Sequence, residues 1–220
     1  MDPILVAELR GRLRRHDLRW LLGAAGAGKS TVAQILVGRH DLQLIDLDAH
    51  IYGDWHSRFT PERHPANHEW TAAPSSLDWL LTMTWSGYDQ FQRAALFEYL
   101  DLLAQDLERK PAGRVLLDGG LYHPALLAGV LPADRIVCLT RPQRTAGEVW
   151  DSSEERRAMR HHMDTLSDPD TAWARFLEID EHIAVTVAEE ATRAGLTLIA
   201  RGPDDSPENT AEAVARAFSL

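Results

Sequence analysis

The chain has 220 residues, of which 45% are hydrophobic and 25% charged, and this size and composition are typical of one globular domain. Its 33 Asp and Glu residues outnumber its 23 Lys and Arg residues, and the net charge of −10 argues against a protein that coats nucleic acid or lies on an anionic membrane. The first residues lack the apolar core of a signal peptide, and no run of 18 apolar residues occurs, so we expect a cytoplasmic protein. The single cysteine, Cys138, has apolar neighbours, so we expect its thiol to be buried and inert.

Short apolar runs predict five β-strands, and segments with helical periodicity lie between them. The predicted strands cover residues 18–22, 42–46, 114–118, 135–140 and 196–200. The predicted helices cover residues 3–15, 31–37, 75–83, 88–109, 124–130, one or two segments of 142–163, and 168–194, and a last helix begins after Ser206. Residues 50–75 carry Pro, His and Trp without a clean period, which predicts a loop or an irregular insertion.

The alternation of strands with helices predicts the fold class. Continuous apolar strand cores are typical of a parallel sheet that is covered by helices on both faces. We therefore predict a single three-layer α/β domain over residues 1–220, with an insertion between the second and third strands.

A glycine-rich segment between the first strand and the next helix fits the pattern Gly-x-x-x-x-Gly-Lys-Ser. Its glycines allow successive backbone N–H groups to point at one anion, and the following helix adds its free N–H groups and positive dipole end. We expect Lys29, one of only two lysines in the chain, to bridge the β- and γ-phosphates of ATP, and the Ser30 hydroxyl to bind Mg²⁺. The alternative is a flexible Gly/Ala turn that enters a helix. The predicted nucleotide-binding residues are Gly23, Ala24, Ala25, Gly26, Ala27, Gly28, Lys29, Ser30 and Thr31.

Three aspartates near strand ends are the predicted partners of this loop. Asp118 ends the third strand, where a carboxylate holds Mg²⁺ directly or through water, or else caps the turn that follows. Asp46 and Asp48 are two residues apart, and on a strand such residues project to the same face. One of the two would accept the proton of an attacking hydroxyl and the other would order water on Mg²⁺, whereas the alternative for Asp48 is a helix N-cap.

An arginine-rich segment follows the fourth strand. If residues 153–163 are helical, Arg156 and Arg160 are stacked at i and i+4, which is unfavourable unless an anion lies nearby. Arginines over a transferring phosphoryl group stabilise its transition state, so Arg156 and Arg160 are candidate catalytic residues. The alternative is a solvated helix of mixed charge. The arginines of this segment are Arg141, Arg144, Arg156, Arg157 and Arg160.

Two groups of residues in or beside the insertion give weaker signals, and one acid elsewhere stands out. The tryptophans are predicted to pack in the core or between subunits rather than to stack on a flat ligand, and the histidines are not expected to bind zinc because no cysteine lies near them. Asp180 interrupts the apolar stripe of the long helix and is expected to have a polar partner near the site. The two groups are Trp55, Trp70, Trp79 and Trp85, and His56, His64 and His68.

The order of these parts resembles the small-molecule and nucleotide kinases of the P-loop superfamily, which include uridine kinase-like, gluconate kinase-like and dephospho-coenzyme A kinase-like proteins. GAAGAGKST resembles their Walker A loop, LIDLDAHIY the acid-bearing end of strand two, VLLDGGLY the strand-three region, and RIVCLTRP, followed by arginines, strand four and the start of a lid. The resemblance implies a sheet order of 2-3-1-4-5, ATP and Mg²⁺ as cofactors, nucleotide contact by Arg141, substrate binding by the insertion at 50–110, and a lid at 141–165.

Two functions remain open at this point. The first is an ATP-dependent phosphotransferase, a monomer or homodimer, that acts on a hydroxyl of a small molecule. The second is a nucleotide-binding switch or ATPase module that acts on a protein partner, although no Asn-Lys-x-Asp motif for guanine occurs. Residues 50–100 hold six Asp and Glu but three Arg, which favours a neutral or cationic acceptor over a multiply phosphorylated one.

Overall fold

The computed structural model describes residues 3–202 and 204–220, and five parallel strands form its central sheet. The strands are β1 (Asp17–Gly23), β2 (Gln43–Asp46), β3 (Arg114–Asp118), β4 (Ile136–Thr140) and β5 (Thr197–Ala200). Their order across the sheet is β2-β3-β1-β4-β5. The predicted α/β class, the strand order and the insertion after the second strand are confirmed.

Helices connect the strands and cover both faces of the sheet. They are α1 (Pro3–Leu13), α2 (Lys29–Arg39), α3 (Leu47–Ile51), α4 (Pro65–Ala72), α5 (Ser76–Leu81), α6 (Trp85–Glu108), α7 (Pro124–Leu127), α8 (Ala146–Trp150), α9 (Glu154–Met163), α10 (Pro169–Arg193) and α11 (Pro207–Ala217). Ser75, Thr84 and Ser206 each accept a hydrogen bond from the backbone N–H three residues later, and these caps set the starts of α5, α6 and α11.

The prediction of loop or irregular structure over residues 50–75 is wrong for helix α4. Its N-terminal N–H groups are satisfied from another helix, because the Glu98 carboxylate of α6 accepts hydrogen bonds from Ala66 N at 2.9 Å and Asn67 N at 2.8 Å. A helix that is capped from about 30 residues away shows no local start signal beyond Pro65 at its first position.

Apolar residues form one core on each face of the sheet. Trp20 and Leu22 of β1 point into the larger core, which α1, α6 and α10 complete, whereas Leu21 points into the core beneath α2 and α11. This two-sided burial explains why the three central strands are largely apolar runs, whereas the edge strands β2 and β5 are partly exposed. Cys138 of β4 is buried in the larger core, as expected, and burial raises the pKa of its thiol to about 12.

The parallel pairing places the carboxyl ends of three strands side by side. Gly23 ends β1, Asp46 ends β2, and Asp118 ends β3 between them, in register with both Asp46 and Leu21. Ligands bind at this edge of open α/β sheets. Within residues 3–202 and 204–220, no helix is long and apolar enough to cross a membrane.

Candidate active site

The predicted phosphate loop lies between β1 and α2. Gly26 and Gly28 adopt positive φ angles of 73° and 88°, which side chains other than glycine rarely accept. A Cβ on Gly26 would lie 2.6 Å from Val149, so α8 leaves no room for a larger residue there. Gly28 is the N-cap of α2, and it makes no side-chain hydrogen bond that would cap the helix. The first N–H groups of α2 therefore receive no cap from Gly28.

The first two residues of α2 carry the polar groups of the loop. Lys29 Nζ donates a hydrogen bond to Ala24 O at 3.2 Å, which holds its ammonium group over the loop. The Ser30 hydroxyl lies near the Asp118 carboxyl group on β3 and lowers its pKa. The loop, a positive charge and a hydroxyl–carboxylate pair therefore share one edge of the sheet.

Asp118 is the most deeply placed acid of this edge. Its side chain is buried, and Oδ1 has no hydrogen-bond partner among the residues that the structure describes. Burial raises the pKa of Asp118, while the Ser30 hydroxyl and the Lys29 charge lower it. A buried acceptor without a partner beside a serine hydroxyl fits an Mg²⁺ ion, which protein sites hold through one or two carboxylates together with phosphate oxygens and water. In the described part of the chain, no group of three or more His, Cys, Asp or Glu residues is arranged around a metal position, so phosphate and water would complete this site.

The predicted shared strand face of Asp46 and Asp48 is wrong, because β2 ends at Asp46 and α3 begins at the next residue. Asp46 is the N-cap of α3, and its Oδ1 accepts a hydrogen bond from Ala49 N at 3.0 Å. Asp48 lies in the first turn of α3 and lines the cleft, where its Oδ1 accepts a hydrogen bond from Gly120 N at 3.1 Å. The capping role considered for Asp48 therefore belongs to Asp46, and Asp48 is the acid that faces the cleft.

The electrostatic setting of Asp48 suits an acid that exchanges protons. Water reaches the carboxylate, but protein encloses the cleft around it, and this enclosure raises the pKa of Asp48. The Lys29 charge lowers the pKa and the Asp46 charge raises it.

Arg141 and Asp180 brace the phosphate loop from the side of β4 and α10. Arg141 Nε donates to Ala25 O at 2.5 Å, Nη2 donates to Asp180 at 2.7 Å, and Nη1 donates to Arg144 O. The backbone N–H of Ala25 lies near Asp180 and lowers the pKa of its carboxyl group, so Arg141 and Asp180 both face Ala25. Asp180 thus has the polar partner near the site that its sequence position predicted, and the Arg141 guanidinium, expected to contact nucleotide, is engaged with the predicted phosphate loop.

Replacing Asp180 with asparagine is expected to destabilise the protein by about 3 kcal/mol, because it leaves the charge of Arg141 buried and uncompensated. This loss outweighs the relief from burial of the Asp180 carboxylate, which raises its pKa. The two side chains are only 8% and 4% exposed. Thermal denaturation should show a midpoint lower by roughly 6–12 °C. Asp170→Asn on the same helix is the matched control, since its pair with Arg160 is exposed and its loss should cost less than about 1 kcal/mol. Equal midpoints for the two variants would show that the brace contributes no stability.

The two predicted catalytic arginines, Arg156 and Arg160, have different surroundings. Arg156 lines the cleft and lies 5.5 Å above the Trp150 ring, and its partial burial lowers its pKa. Arg160 does not line the cleft, since its Nη2 donates to Asp170 at 2.8 Å and its guanidinium lies over the Trp173 ring. Helix α9 therefore brings Arg156, but not Arg160, to the phosphate loop.

Arg201 is a residue of the site that the sequence pattern does not mark. It follows β5, and its guanidinium lies directly against Gly28 at the start of α2. Its Nε is buried without a hydrogen-bond partner among the described residues. The charge of Arg201 adds to the positive field of the loop, and only the sheet order, which places β5 next to β4, brings it there.

The phosphate loop opens into a cleft of about 810 Å³. Its lining includes the charged side chains of Lys29, Asp48, Asp180 and Arg156, and a second part of the lining, which we call the insertion half, comes from residues of the insertion. The insertion half is rich in aromatic residues, and the residues after β3 add one more, Tyr122. A separate cavity of about 730 Å³ lies at the opposite ends of β1 and β4, away from the phosphate loop.

The tryptophans of the insertion pack within the protein, as predicted. Trp55 is buried and donates from Nε1 to Asp106 at 2.8 Å, Trp70 is buried with one side on the cleft, and the Trp79 ring meets Phe91 edge-on. Trp85 stacks on His182 with ring centroids 4.6 Å apart.

The histidines of the insertion have separate surroundings. His64 is buried and its Nε2 lies 3.0 Å from Asp101, whereas His56 lines the cleft with its ring against Trp70.

The sheet order, the loop and the flanking helices together form a P-loop NTPase-like α/β fold. A scan against protein-family models gives no match, and a search of curated proteins gives none either.

Proposed function

We propose that the protein is an ATP-dependent phosphotransferase, which moves the γ-phosphoryl group of ATP to a hydroxyl of a small molecule. The observation that carries the proposal is the position of Asp48. One cleft contains the phosphate loop with Lys29 and Ser30 and the carboxylate of Asp48, and Asp118 lies buried beside Ser30 at the end of β3.

Asp48, Lys29 and Arg156 have separate roles in this reaction. The acceptor oxygen forms a bond to the γ-phosphorus, the bond from that phosphorus to the β–γ bridging oxygen breaks, and the electron pair leaves with ADP. Asp48 accepts the proton of the acceptor hydroxyl. Lys29 and Arg156 lie on the loop side of the cleft, where their charges stabilise the negative charge that spreads over the phosphoryl oxygens.

Ser30 and Asp118 are the residues that would hold Mg²⁺. The ion, when bound, neutralises phosphate charge and orients the phosphoryl group. Asp118 Oδ1, which has no hydrogen-bond partner among the described residues, would supply the carboxylate ligand, and the nearby Ser30 hydroxyl would supply a second ligand.

Acceptor-dependent ADP release tests the proposal against a nucleotide-operated switch. We expect slow ATP turnover by the protein alone and a large increase with at least one acceptor from a panel of hydroxylated metabolites. The same stoichiometric amounts of ADP and phosphorylated acceptor should be found by mass spectrometry. Turnover that no acceptor accelerates, or that yields inorganic phosphate only, would reject the phosphotransferase and favour the switch.

Replacing Asp118 with asparagine should raise the Mg²⁺ concentration needed for half-maximal turnover and reduce the maximal rate. The change keeps the shape of the side chain and removes the charge that would meet the ion. It should not lower the thermal midpoint. Burial raises the pKa of Asp118 above its value in the unfolded chain, so ionisation costs stability above that unfolded value, and asparagine avoids the cost. An unchanged Mg²⁺ requirement with a lower midpoint would assign Asp118 to turn structure instead.

A further inference from the structure

The insertion half of the cleft would hold the acceptor, and we call it the acceptor half. Its described residues include no Lys or Arg side chain to pair with an anionic acceptor. Among the described residues that line the cleft, the Lys and Arg side chains are Lys29 of α2 and Arg156 of α9, and neither comes from the insertion. Two carboxylates also line the cleft, and Asp180 is paired with Arg141, whereas Asp48 accepts only a backbone hydrogen bond from Gly120. An anionic acceptor beside Asp48 would therefore lose its hydration and meet negative charge, with His56 and His162 as the other described residues of the lining that can carry positive charge.

The arginines of the insertion are engaged elsewhere. Arg58 pairs with Asp106 at 2.8 Å, and Arg63 pairs with Asp101 at 2.9 Å. Arg93 pairs with both Asp89 and Glu190, each at 2.7 Å. Arg109 also faces Asp106, at 3.7 Å. None of these four arginines lines the cleft, because their charges join segments of the insertion to one another and, through Arg93, to α10.

The walls of the acceptor half are flat, apolar and carry hydroxyl groups. Tyr88 and Tyr122 lie nearly parallel, with ring planes at 5° and centroids 6.1 Å apart, and Trp70 and Tyr99 add further ring surface. Burial raises the pKa values of Tyr88, Tyr99 and Tyr122 above the ordinary range, so the phenols stay uncharged. Rings of this kind bury flat ligands, and their hydroxyls and the Gln92 amide fix the orientation of polar groups.

We infer that the acceptor is a hydroxyl-bearing aromatic or heteroaromatic molecule without phosphate or carboxylate, either neutral or carrying an amine. The aromatic wall covers the body of the molecule, and one hydroxyl points to Asp48 and the phosphate loop. The inference names the acceptor class of the proposed phosphotransferase and rests on that function.

Matched ligands separate this inference from the proposed function. Calorimetry without ATP measures binding of aromatic alcohols in pairs that differ in one group: 2-(4-hydroxyphenyl)ethanol and its amine analogue against 4-hydroxyphenylacetate, and pyrimidine nucleosides against their 5′-monophosphates. We expect at least one neutral or amine member to bind, and to bind about tenfold or more tightly than its anionic counterpart. Equal or tighter binding of the anionic members, or binding of no neutral or amine member, overturns the inference. Selective binding without any ADP release would reject the phosphotransferase and leave the ligand class standing.

A charge placed in the wall gives an independent test. Gln92 lines the cleft beside the Tyr88 hydroxyl, so Gln92→Arg should reverse the preference and favour the carboxylated or phosphorylated member of the pair. Gln90→Arg is the matched control, because Gln90 lies two residues away on the same helix, is exposed and does not line the cleft. The control should keep the preference of the native protein. A preference that stays unchanged in Gln92→Arg, with the fold intact by circular dichroism, would show that wall charge does not select the acceptor.

Discussion

Replacing Lys29 with alanine is expected to weaken ATP binding by about 1.5–3 kcal/mol, which corresponds to roughly a 10- to 150-fold higher dissociation constant. The loss arises because a hydrogen bond from an ammonium group to phosphate is charge-assisted. Turnover should fall further than binding, since the charge on the transferring group develops most strongly in the transition state. Calorimetry with ATP and Mg²⁺ measures the first effect, and acceptor-dependent ADP release measures the second.

The other lysine of the chain provides the control for this experiment. Lys110 follows α6 and does not line the cleft, so Lys110→Ala removes the same charge at a distance from the loop. Wild-type binding and turnover are expected for this variant. Equal ATP affinity in Lys29→Ala and Lys110→Ala would mean that residues 23–30 form a glycine-rich turn without a phosphate-binding role.

Local patterns predicted the sheet and the loop because both depend on short stretches of sequence. β1, β3 and β4 are largely apolar runs that are buried on both faces, whereas the edge strands β2 and β5 are partly exposed. Ser206 with Pro207 marks the start of α11 by its own side chain. The spacing of Gly26 and Gly28 before Lys29 likewise encodes the loop, since positive φ angles are needed at those two positions. Physical causes that act within a few residues are visible in the sequence.

Long-range contacts decide the features that the patterns missed. Helix α4 is capped by Glu98, and Arg201 reaches the loop only through the order of the sheet. The pair formed by Arg141 and Asp180 joins residues 39 positions apart. The spacing of Asp46 and Asp48 is compatible with a strand that continues past Asp46 and with a helix that starts there. The structure has the helix, which separates the roles of the two acids.

Replacing Asp48 with asparagine is expected to reduce acceptor-dependent ADP release by about 10²–10⁴-fold, because a positioned general base supplies that much rate. ATP affinity should stay close to the native value, since Asp48 faces the acceptor side of the cleft. Asparagine can still accept the hydrogen bond from Gly120 N, so the thermal midpoint should change little. Turnover, ATP affinity and thermal midpoint measured on one preparation separate a lost base from a lost fold.

Asp46→Asn is the matched variant, because asparagine caps a helix as well as aspartate does and only the charge is lost. Its turnover at neutral pH should remain near the native rate. The pH profile should nevertheless change in a defined direction. The native rate should rise with pH through the raised pKa of Asp48, above the ordinary aspartate value of about 4, because the base acts only when ionised. Since the Asp46 charge contributes to that raised pKa, Asp46→Asn should move the acid limb to lower pH, and Asp48→Asn should abolish it. Full turnover in Asp48→Asn, or a loss confined to Asp46→Asn, would remove Asp48 from the role of base.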